Sequence, residues 1–454
     1  MIPISACDKD PPESFNELLA NVRLYKSERW TQLALQSPAM NITSGALFFC
    51  FMLPIALAQS VPNSATVPIT LDHNRIIIDV YFVQPGGSKT RVRGWVDTGA
   101  GATDLWITPG LAKKLGLETA GEASTIMGPK VPAVKPPREL LIGDMPVRIN
   151  GITEARVQQK GEAIAPGLSA EINLPAAVLR NYDVVVDYPN RQLTIAAPGS
   201  VRFAGTAVKA FVNPENGIIQ IPSTVDGQTR NLGLDLGATV TLISGEVLES
   251  WRKAHPQWPT MTGAVGPANL WGIETEPAWG LVRIPQLAYG PLMLTNVLTT
   301  AFPTKDMSWF EKRAGTSSSG VVGADAFLNY KVGIDYANRR VYFEQLRKFQ
   351  IQNMDVIGLV LRPEWDERYS VLGVAEFNGK PSVPDVQKGD VLLMVDDARA
   401  TGATMGQVWS LLSGSPGDMR TLTLERDAKK FAVKATVHRF LDAAPKKAEA
   451  KKKN

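Results

Sequence analysis

The pentapeptide VDTGA at residues 96–100 has a related second copy in the chain, LDLGA at residues 234–238. Both copies follow a run that predicts a β-strand. Both continue at the same spacing to a threonine, Thr103 in the first copy and Thr241 in the second. An acid at the end of a strand, followed closely by glycine, indicates a turn that presents a carboxylate. A single copy would be ordinary turn chemistry, so the repetition carries the signal.

The residues around each copy also recur in the same order, which indicates a duplicated unit. Before the acids, NRII at residues 74–77 is matched by NGII at residues 216–219. Further along, NYDVVVDYPNR at residues 181–191 is matched by NYKVGIDYANR at residues 329–339. Two similar hairpins would explain the last pair alone. The whole series predicts two homologous halves.

This arrangement resembles the aspartic peptidases of the retropepsin and pepsin kind. In that family two β-rich lobes each donate one acid to a cleft, and a hydrophobic-hydrophobic-Gly strand lies beside each acid turn. VVGAD at residues 321–325 matches that strand, whereas NLP at residues 173–175 has proline in place of the glycine. The resemblance implies that Asp97 and Asp235 form a catalytic dyad.

The resemblance also implies which residues support the dyad, namely Thr98, Gly99, Leu236 and Gly237. The family places Thr or Ser after each acid, and its hydroxyl bonds across the junction of the lobes. Thr98 fits this pattern, but Leu236 has no hydroxyl. Half of the network that crosses the junction must therefore be missing or rebuilt.

Two carboxyl groups can hydrolyse a peptide bond without a metal or another cofactor. When they lie about 3 Å apart they share one proton, so one can act as base and the other as acid on a bridging water. A Gly-Pro pair follows each acid at the same separation, at Gly128 and Gly266. The resemblance implies that these two glycines lie in flaps that close over a bound polypeptide.

The chain changes character after residue 345. Five segments there resemble a PDZ domain, with KGDVL as the most specific part: GLVL at 358–361, VLGV at 371–374, VQKGDVLLMVDD at 386–397, a helical pattern at 405–412 and TLTLER at 421–426. The resemblance implies capture of a peptide C-terminus, whose carboxylate would be received by the loop of Gly358, Leu359 and Val360. A small β domain that packs on the peptidase is the alternative.

The beginning of the chain predicts export. Residues 45–58 are apolar and end in Ala-Leu-Ala before Gln59, the pattern of a signal peptide and its cleavage site. Translation from Met40 would give a signal of ordinary length, so the first 39 residues can lie upstream of the working start. We therefore expect a periplasmic or secreted protein with no stable membrane span after cleavage; an uncleaved anchor is the alternative.

Composition excludes several other classes of protein. The net charge is only +4, and no basic stripe interleaved with aromatic residues indicates a nucleic-acid partner. The three histidines have no partners at zinc-binding spacing, and a Gly-x-Ser-x-Gly motif is absent. Both cysteines, Cys7 and Cys50, precede the predicted cleavage site, so the mature chain would contain no thiol. We expect no cofactor.

Local patterns predict individual elements. We expect strands at residues 76–83 and 91–96 and helices at residues 109–116 and 245–254. Proline-rich residues 132–137 predict a loop rather than a central strand.

The sequence thus predicts a mainly β chain: two homologous retropepsin-like acid-protease β-barrel lobes followed by a PDZ domain. The predicted boundaries are a leader and signal peptide at 1–58, lobe one at 59–199, lobe two at 206–345, the PDZ domain at 350–441 and a disordered basic tail at 442–454. The predicted function is an aspartic endopeptidase that cleaves polypeptides. The alternative is a non-catalytic peptide-binding protein with a degenerate protease fold.

Overall fold

The computed structural model describes residues 62–101, 105–124, 130–158, 167, 170–262, 280–302, 304–348 and 354–442. This part of the chain is mainly β, as the sequence predicts. Within it, no helix is both long and apolar enough to cross a membrane. The predicted signal segment, the flap glycines Gly128 and Gly266, Thr103 and the basic tail beyond residue 442 lie outside the described residues.

The described residues of the first half form thirteen strands and two short helices with defined bounds. The strands are β1 (Ser64–Pro68), β2 (Thr70–Asp72), β3 (Arg75–Val83), β4 (Lys89–Asp97), β5 (Trp106–Ile107), β6 (Thr119–Ala123), β7 (Val131–Val134), β8 (Glu139–Ile142), β9 (Met145–Arg148), β10 (Ala155–Val157), β11 (Ile172–Pro175), β12 (Asp183–Asp187) and β13 (Gln192–Ala196). The helices are α1 (Pro109–Lys114) and α2 (Ala176–Leu179).

The second half repeats this plan with longer helices. Its strands are β14 (Thr206–Lys209), β15 (Phe211–Val212), β16 (Ile219–Val225), β17 (Gln228–Asp235), β18 (Thr241–Ser244), β19 (Thr260–Met261), β20 (Leu281–Tyr289), β21 (Leu292–Phe302), β22 (Gly320–Gly323), β23 (Tyr330–Asp335) and β24 (Arg340–Gln345). Its helices are α3 (Gly245–Ala254), α4 (Thr304–Ala314) and a 3-10 turn at Ala324–Phe327.

The C-terminal segment, residues 354–442, is built around a single helix, α5 (Met405–Leu412). Its strands are β25 (Asp355–Val356), β26 (Leu359–Pro363), β27 (Tyr369–Val374), β28 (Glu376–Phe377), β29 (Lys380–Pro381), β30 (Val391–Val395), β31 (Ala398–Arg399), β32 (Met419–Arg426), β33 (Lys429–Thr436) and β34 (His438–Arg439).

Three sheets organise the two halves. The first sheet has the order β6-β7-β10-β5-β11-β4-β3-β8-β9, with β2 attached to β3, and the second has the order β15-β16-β17-β22-β18-β21-β20-β19. An additional pairing of β16 with β20 makes the second sheet barrel-like. The shared sheet, β1-β13-β12-β23-β24-β14, takes strands from both halves and joins them at its centre through antiparallel β12 and β23.

The repeated NY…NR segments form matching hairpins of the shared sheet. In the first, Asn190 donates from its backbone N–H and its amide to the two carboxylate oxygens of Asp187, each at 3.0 Å. In the second, Asn338 makes the same pair of bonds to Asp335 at 3.0 and 2.9 Å. The two segments therefore fold alike.

The acid-bearing strands are placed alike in the two halves. β4 lies parallel to β11, with Asp97 opposite Pro175, and β17 lies parallel to β22, with Asp235 opposite Gly323. The NLP and VVG segments therefore occupy corresponding positions, although one ends in proline and the other in glycine. In both halves the acid is the last residue of its strand, β4 or β17, and the parallel neighbouring strand ends beside it.

Most local predictions are confirmed, and one is wrong. The strands at 76–83 and 91–96 fall within β3 and β4, the helix at 109–116 contains α1, and the helix at 245–254 coincides with α3. Residues 132–137 do not form only a loop, because Pro132 lies within β7 between β6 and β10. Pro132 pairs with Glu122 of β6, whereas the pairing of β7 with β10 covers only Ala133 and Val134, so the missing N–H is not needed on the β10 side.

The apolar core explains why the halves form one body. Its main cluster combines buried side chains from all three sheets, such as Ile78, Val186 and Ile284. The C-terminal segment has a separate core that includes Leu361 and Val408. Another cluster joins the C-terminal segment to the second half, with Val360 and Leu372 packed among Val240, Phe310 and their neighbours. The chain from Ser60 onward forms one compact unit.

Gly323 provides a test of the register of β22 against β18, in which Leu242 lies opposite Val321 and Val240 therefore lies opposite Gly323. A methyl group on this glycine would overlap the backbone of Val240, whereas one on Gly110 in α1 would meet no heavy atom within 4 Å. We expect Gly323→Ala to lower the free energy of unfolding by about 1–3 kcal/mol or more, because rigid backbone must move. Gly110→Ala is the control, and denaturant unfolding is the measurement. Equal stabilities of the two variants would contradict this register.

Candidate active site

The two acid turns meet where the halves join. A methyl group on Gly237 would lie 2.6 Å from Asp97 Oδ1, and a methyl group on Gly99 would overlap the carboxyl group of Asp235. Each glycine therefore allows the acid of the opposite turn to reach its backbone. No larger residue fits at either position without moving a carboxyl group.

One backbone N–H is within hydrogen-bonding reach of both carboxyl groups. Gly99 N–H lies 3.3 Å from Asp97 Oδ1, and the same group hydrogen-bonds to Asp235. Asp235 Oδ1 also accepts from the N–H groups of Gly237 at 2.9 Å and Ala238 at 3.0 Å. The structure thus brings the two predicted acids together.

Thr98 ties the first turn to the strand of the second acid. Its buried hydroxyl donates to the carbonyl oxygen of Leu234 at 3.0 Å and accepts from the N–H of Leu236 at 2.8 Å. The hydroxyl therefore satisfies two backbone groups of the opposite turn, one on each side of Asp235. Such buried bonds matter mainly because an unpaired partner is costly.

Leu236 makes no reciprocal bond, because its side chain is apolar and fully buried in the main core. The second turn is held by two further residues of the first half besides Thr98. Arg75 Nε donates to the carbonyl oxygen of Gly237 at 3.2 Å, and Asn74 Nδ2 donates to the carbonyl oxygen of Thr239 at 3.3 Å. These two side chains add to the bonds from Thr98 on the second turn, whereas Leu236 offers no hydroxyl to the first turn.

The proton affinity of Asp235 is set by opposing effects. Burial raises its pKa from 3.8 to about 6, although the N–H groups of Gly237 and Ala238, the charge of Arg75 and the Gly99 N–H all act to lower it. Burial dominates because it disfavours the charged carboxylate. Asp97 is only partly buried. The site therefore combines a carboxyl that retains its proton in weak acid with a second carboxyl nearer to solvent.

The interior next to Asp235 contains further acidic groups that sequence reasoning missed. Burial raises the pKa of Asp325 well above its ordinary range, although Arg283 opposes the shift. Burial also raises the pKa values of Tyr188 and Tyr289, and the negative charge of Asp235 adds to both shifts. The VVGAD pattern was the signal available for Asp325. Burial therefore disfavours the charged form of all three groups.

The remaining predicted residues lie elsewhere. Leu359 and Val360 are buried in β26, and Gly358, with φ +92°, accepts a hydrogen bond from Ala375 N–H at 2.7 Å. They lie in the C-terminal segment rather than at the dyad. Among the described residues, no group of three His, Cys, Asp or Glu side chains is arranged to hold a metal ion.

Comparisons with known proteins leave the site to be judged on this geometry. No protein-family model matches the chain. No curated protein matches it.

Removing the Thr98 hydroxyl should weaken the junction of the turns. We expect Thr98→Val to lower the free energy of unfolding by about 1–3 kcal/mol, because the buried N–H of Leu236 loses its acceptor. Thr98→Ser keeps the hydroxyl and should cost less. Thermal unfolding of both variants measures the difference, and an equal loss from Val and Ser would mean that the hydroxyl contributes nothing.

The raised pKa of Asp235 also predicts a pH dependence of stability. The folded chain holds this proton up to about pH 6, whereas the ordinary pKa is 3.8. The folded state therefore binds more protons within this window, so the free energy of unfolding should fall as pH rises from about 4 to about 6.

We expect Asp235→Asn to remove part of that fall, on the order of 1–3 kcal/mol between pH 4 and pH 7. Urea unfolding at several pH values measures it. Asp144→Asn, which changes a carboxylate that is 82% exposed, is the control. If Asp235→Asn retains the full slope of the unchanged chain, Asp235 is not the group that titrates.

Proposed function

We propose that the chain is an aspartic endopeptidase in which Asp97 and Asp235 activate one water molecule against a peptide bond. The observation that supports this most is that both carboxyl groups reach the N–H of Gly99. Two like-charged groups at such a distance cannot both ionise cheaply, so the pair shares a proton and titrates as a unit. This is the protonation state that acid-base hydrolysis requires.

The proposed reaction uses both members of the pair. The ionised carboxyl takes a proton from water as the water oxygen bonds to the carbonyl carbon, while the protonated carboxyl gives its proton to the carbonyl oxygen. The carbon–nitrogen bond then breaks. The nitrogen takes a proton from the first carboxyl, and the second recovers one from the diol. Asp235 is the better candidate for the initially protonated member, because burial raises its pKa to about 6.

We propose that the two halves are retropepsin-like lobes. Corresponding parallel pairings beside the acids, Asp97 with Pro175 and Asp235 with Gly323, support this fold. The shared sheet, in which the two repeated hairpins pair centrally, also fits two lobes joined at their base. The cleft between the acid turns would then receive an extended polypeptide.

We propose a PDZ-like fold for the C-terminal segment, in which β26 is the edge strand of a sheet that is accompanied by α5. In such domains a peptide adds beside an edge strand. Gly167 of the first half lies between these elements, because a methyl group on it would be 2.7 Å from Met405 Cε and 3.0 Å from Pro363 Cβ. This contact favours an internal packing role, and capture of a peptide end by Gly358, Leu359 and Val360 stays a prediction.

We further propose that the protein is exported. The proposal rests on the apolar residues 45–58 and the Ala-Leu-Ala sequence before Gln59. Sequencing the N-terminus of the native protein tests it, and a chain that begins at Gln59 is the expected result. Retention of the apolar segment would support a membrane anchor instead.

Incubation of the purified protein with an unfolded polypeptide across pH 3 to 8 tests the peptidase. We expect cleavage that falls by about a thousandfold or more in both Asp97→Asn and Asp235→Asn, because each substitution removes one partner of the proton exchange. Asp144→Asn should cleave like the unchanged chain. Mass spectrometry of the products measures internal cleavage.

The outcomes separate the alternatives. No cleavage by the unchanged chain, combined with tight binding of the polypeptide, would favour the non-catalytic peptide-binding protein. Cleavage that survives in either Asn variant would contradict a two-acid mechanism.

A further inference from the structure

We propose that Arg75 is a positioning residue for the dyad: its guanidinium holds the acid turn in which Leu236 stands in place of Thr or Ser, and helix α5 of the C-terminal segment locks it there. The proposal rests on the proposed peptidase function. It makes the C-terminal segment an internal brace for the second acid turn.

The contacts of Arg75 place it directly on that turn. Its side chain starts at the first residue of β3, is 3% exposed and donates from Nε to the carbonyl oxygen of Gly237 at 3.2 Å. The same peptide group carries the N–H of Ala238, which donates to Asp235 Oδ1 at 3.0 Å. A movement of the guanidinium would therefore shift the peptide group that orients the catalytic carboxyl.

The two copies of the repeat differ at this position in a way that matches the missing hydroxyl. The residue that corresponds to Arg75 in NGII is Gly217, with φ +80°, where a Cβ would lie 2.7 Å from the carbonyl oxygen of Ala176. Asn216 bonds to the carbonyl oxygen of Arg313 rather than to the first acid turn. Thus the turn with a threonine receives no arginine, whereas the turn with a leucine does.

The start of α5 fixes Arg75 from the other side. Arg75 Nη1 lies 3.2 Å from Met405 Sδ, and the guanidinium carbon lies 5.9 Å from the ring centre of Trp95. Met405 is fully buried with Trp95 and its neighbours. Gly406 N–H donates to Asp72 Oδ1 at 2.6 Å, close to the residue that begins β3.

The packing allows little freedom at this contact. A methyl group on Gly406 would lie 2.8 Å from the backbone nitrogen of His73, and the His73 ring lies 5.1 Å from that of Trp409. Met405 and Trp409 lie one helical turn apart on the same face of α5. That face is occupied by the chain itself, so the helix supports the acid turn through residues 72–75.

Electrostatics give Arg75 a second effect that simple packing would not produce. Asp235 is surrounded by Asp97, Tyr188, Tyr289 and Arg75, and Arg75 is the positive member of this group. Its charge lowers the pKa of Asp235 against the effect of burial. Loss of the charge should therefore move the titration of Asp235 to higher pH.

The test compares Arg75→Met, which removes the charge, with Arg75→Lys, which keeps it. Arg91→Met is the control, because Arg91 is 62% exposed on β4 and pairs with Asp79 at 2.8 Å. Carbon-13 labelling of aspartate carboxyl groups, with Asp235→Asn for assignment, follows the titration of Asp235 by NMR. This readout does not depend on peptidase activity.

We expect Arg75→Met to move the titration midpoint of Asp235 upward and to lower kcat about tenfold or more with KM changed by less than about twofold. The pH–rate profile should move in the same direction. Arg75→Lys should restore the midpoint and part of kcat, and Arg91→Met should change neither. A midpoint that is the same in Arg75→Met and the unchanged chain would overturn the proposal.

The role of α5 is tested with Gly406→Ala, for which Ser410→Ala on the same helix is the control. We expect Gly406→Ala to lower kcat several-fold although the substitution adds only one methyl group, because that group must displace His73. An unaltered kcat would mean that α5 does not support the acid turn. If the unchanged chain cleaves no polypeptide, the peptidase proposal fails, and the NMR titration still decides whether Arg75 controls Asp235.

Discussion

The close approach of two carboxyl groups is the constraint on which this structure depends. Such a pair is stable only when it shares a proton and when backbone N–H groups satisfy the remaining charge. Gly99 and Gly237 meet the steric side of this requirement, because each lets the opposite acid contact its backbone. The N–H of Gly99 lies within hydrogen-bonding reach of both carboxyl groups and helps to stabilise their negative charge. The sheets of the two halves, joined by β12 and β23, hold the turns in this register.

The two acids occupy equivalent positions, but the side chains that hold their turns differ. The second turn is held from the first half by the hydroxyl of Thr98 and by Asn74 and Arg75, whereas Leu236 offers no hydroxyl to the first turn. A hydroxyl is neutral, but a guanidinium also brings a permanent charge. Arg75 therefore changes the proton affinity of Asp235 while it holds the second acid turn in place. It also connects the site to the C-terminal segment, because Arg75 contacts Met405.

Much of the fold could be predicted because the repeated segments encode similar local structure. The strands that lead to the acids, α3 and the paired hairpins all follow from pattern and turn chemistry. Arg75 escaped notice because it stands where the repeat is broken, opposite Gly217, so comparing the copies hid it. Its contact with Met405 links residues 330 positions apart, which no local pattern indicates. Pro132 was misassigned because it lies in a strand whose pairing with β10 stops at Ala133, so a proline fits there without its N–H.

Neutron diffraction from crystals grown near pH 5 is the measurement that tests the shared proton most directly. We expect one deuterium between the carboxyl groups of Asp97 and Asp235 and one bridging water, with the oxygens of the pair about 3 Å apart. Two fully ionised carboxylates, each with its own separate waters, would contradict it.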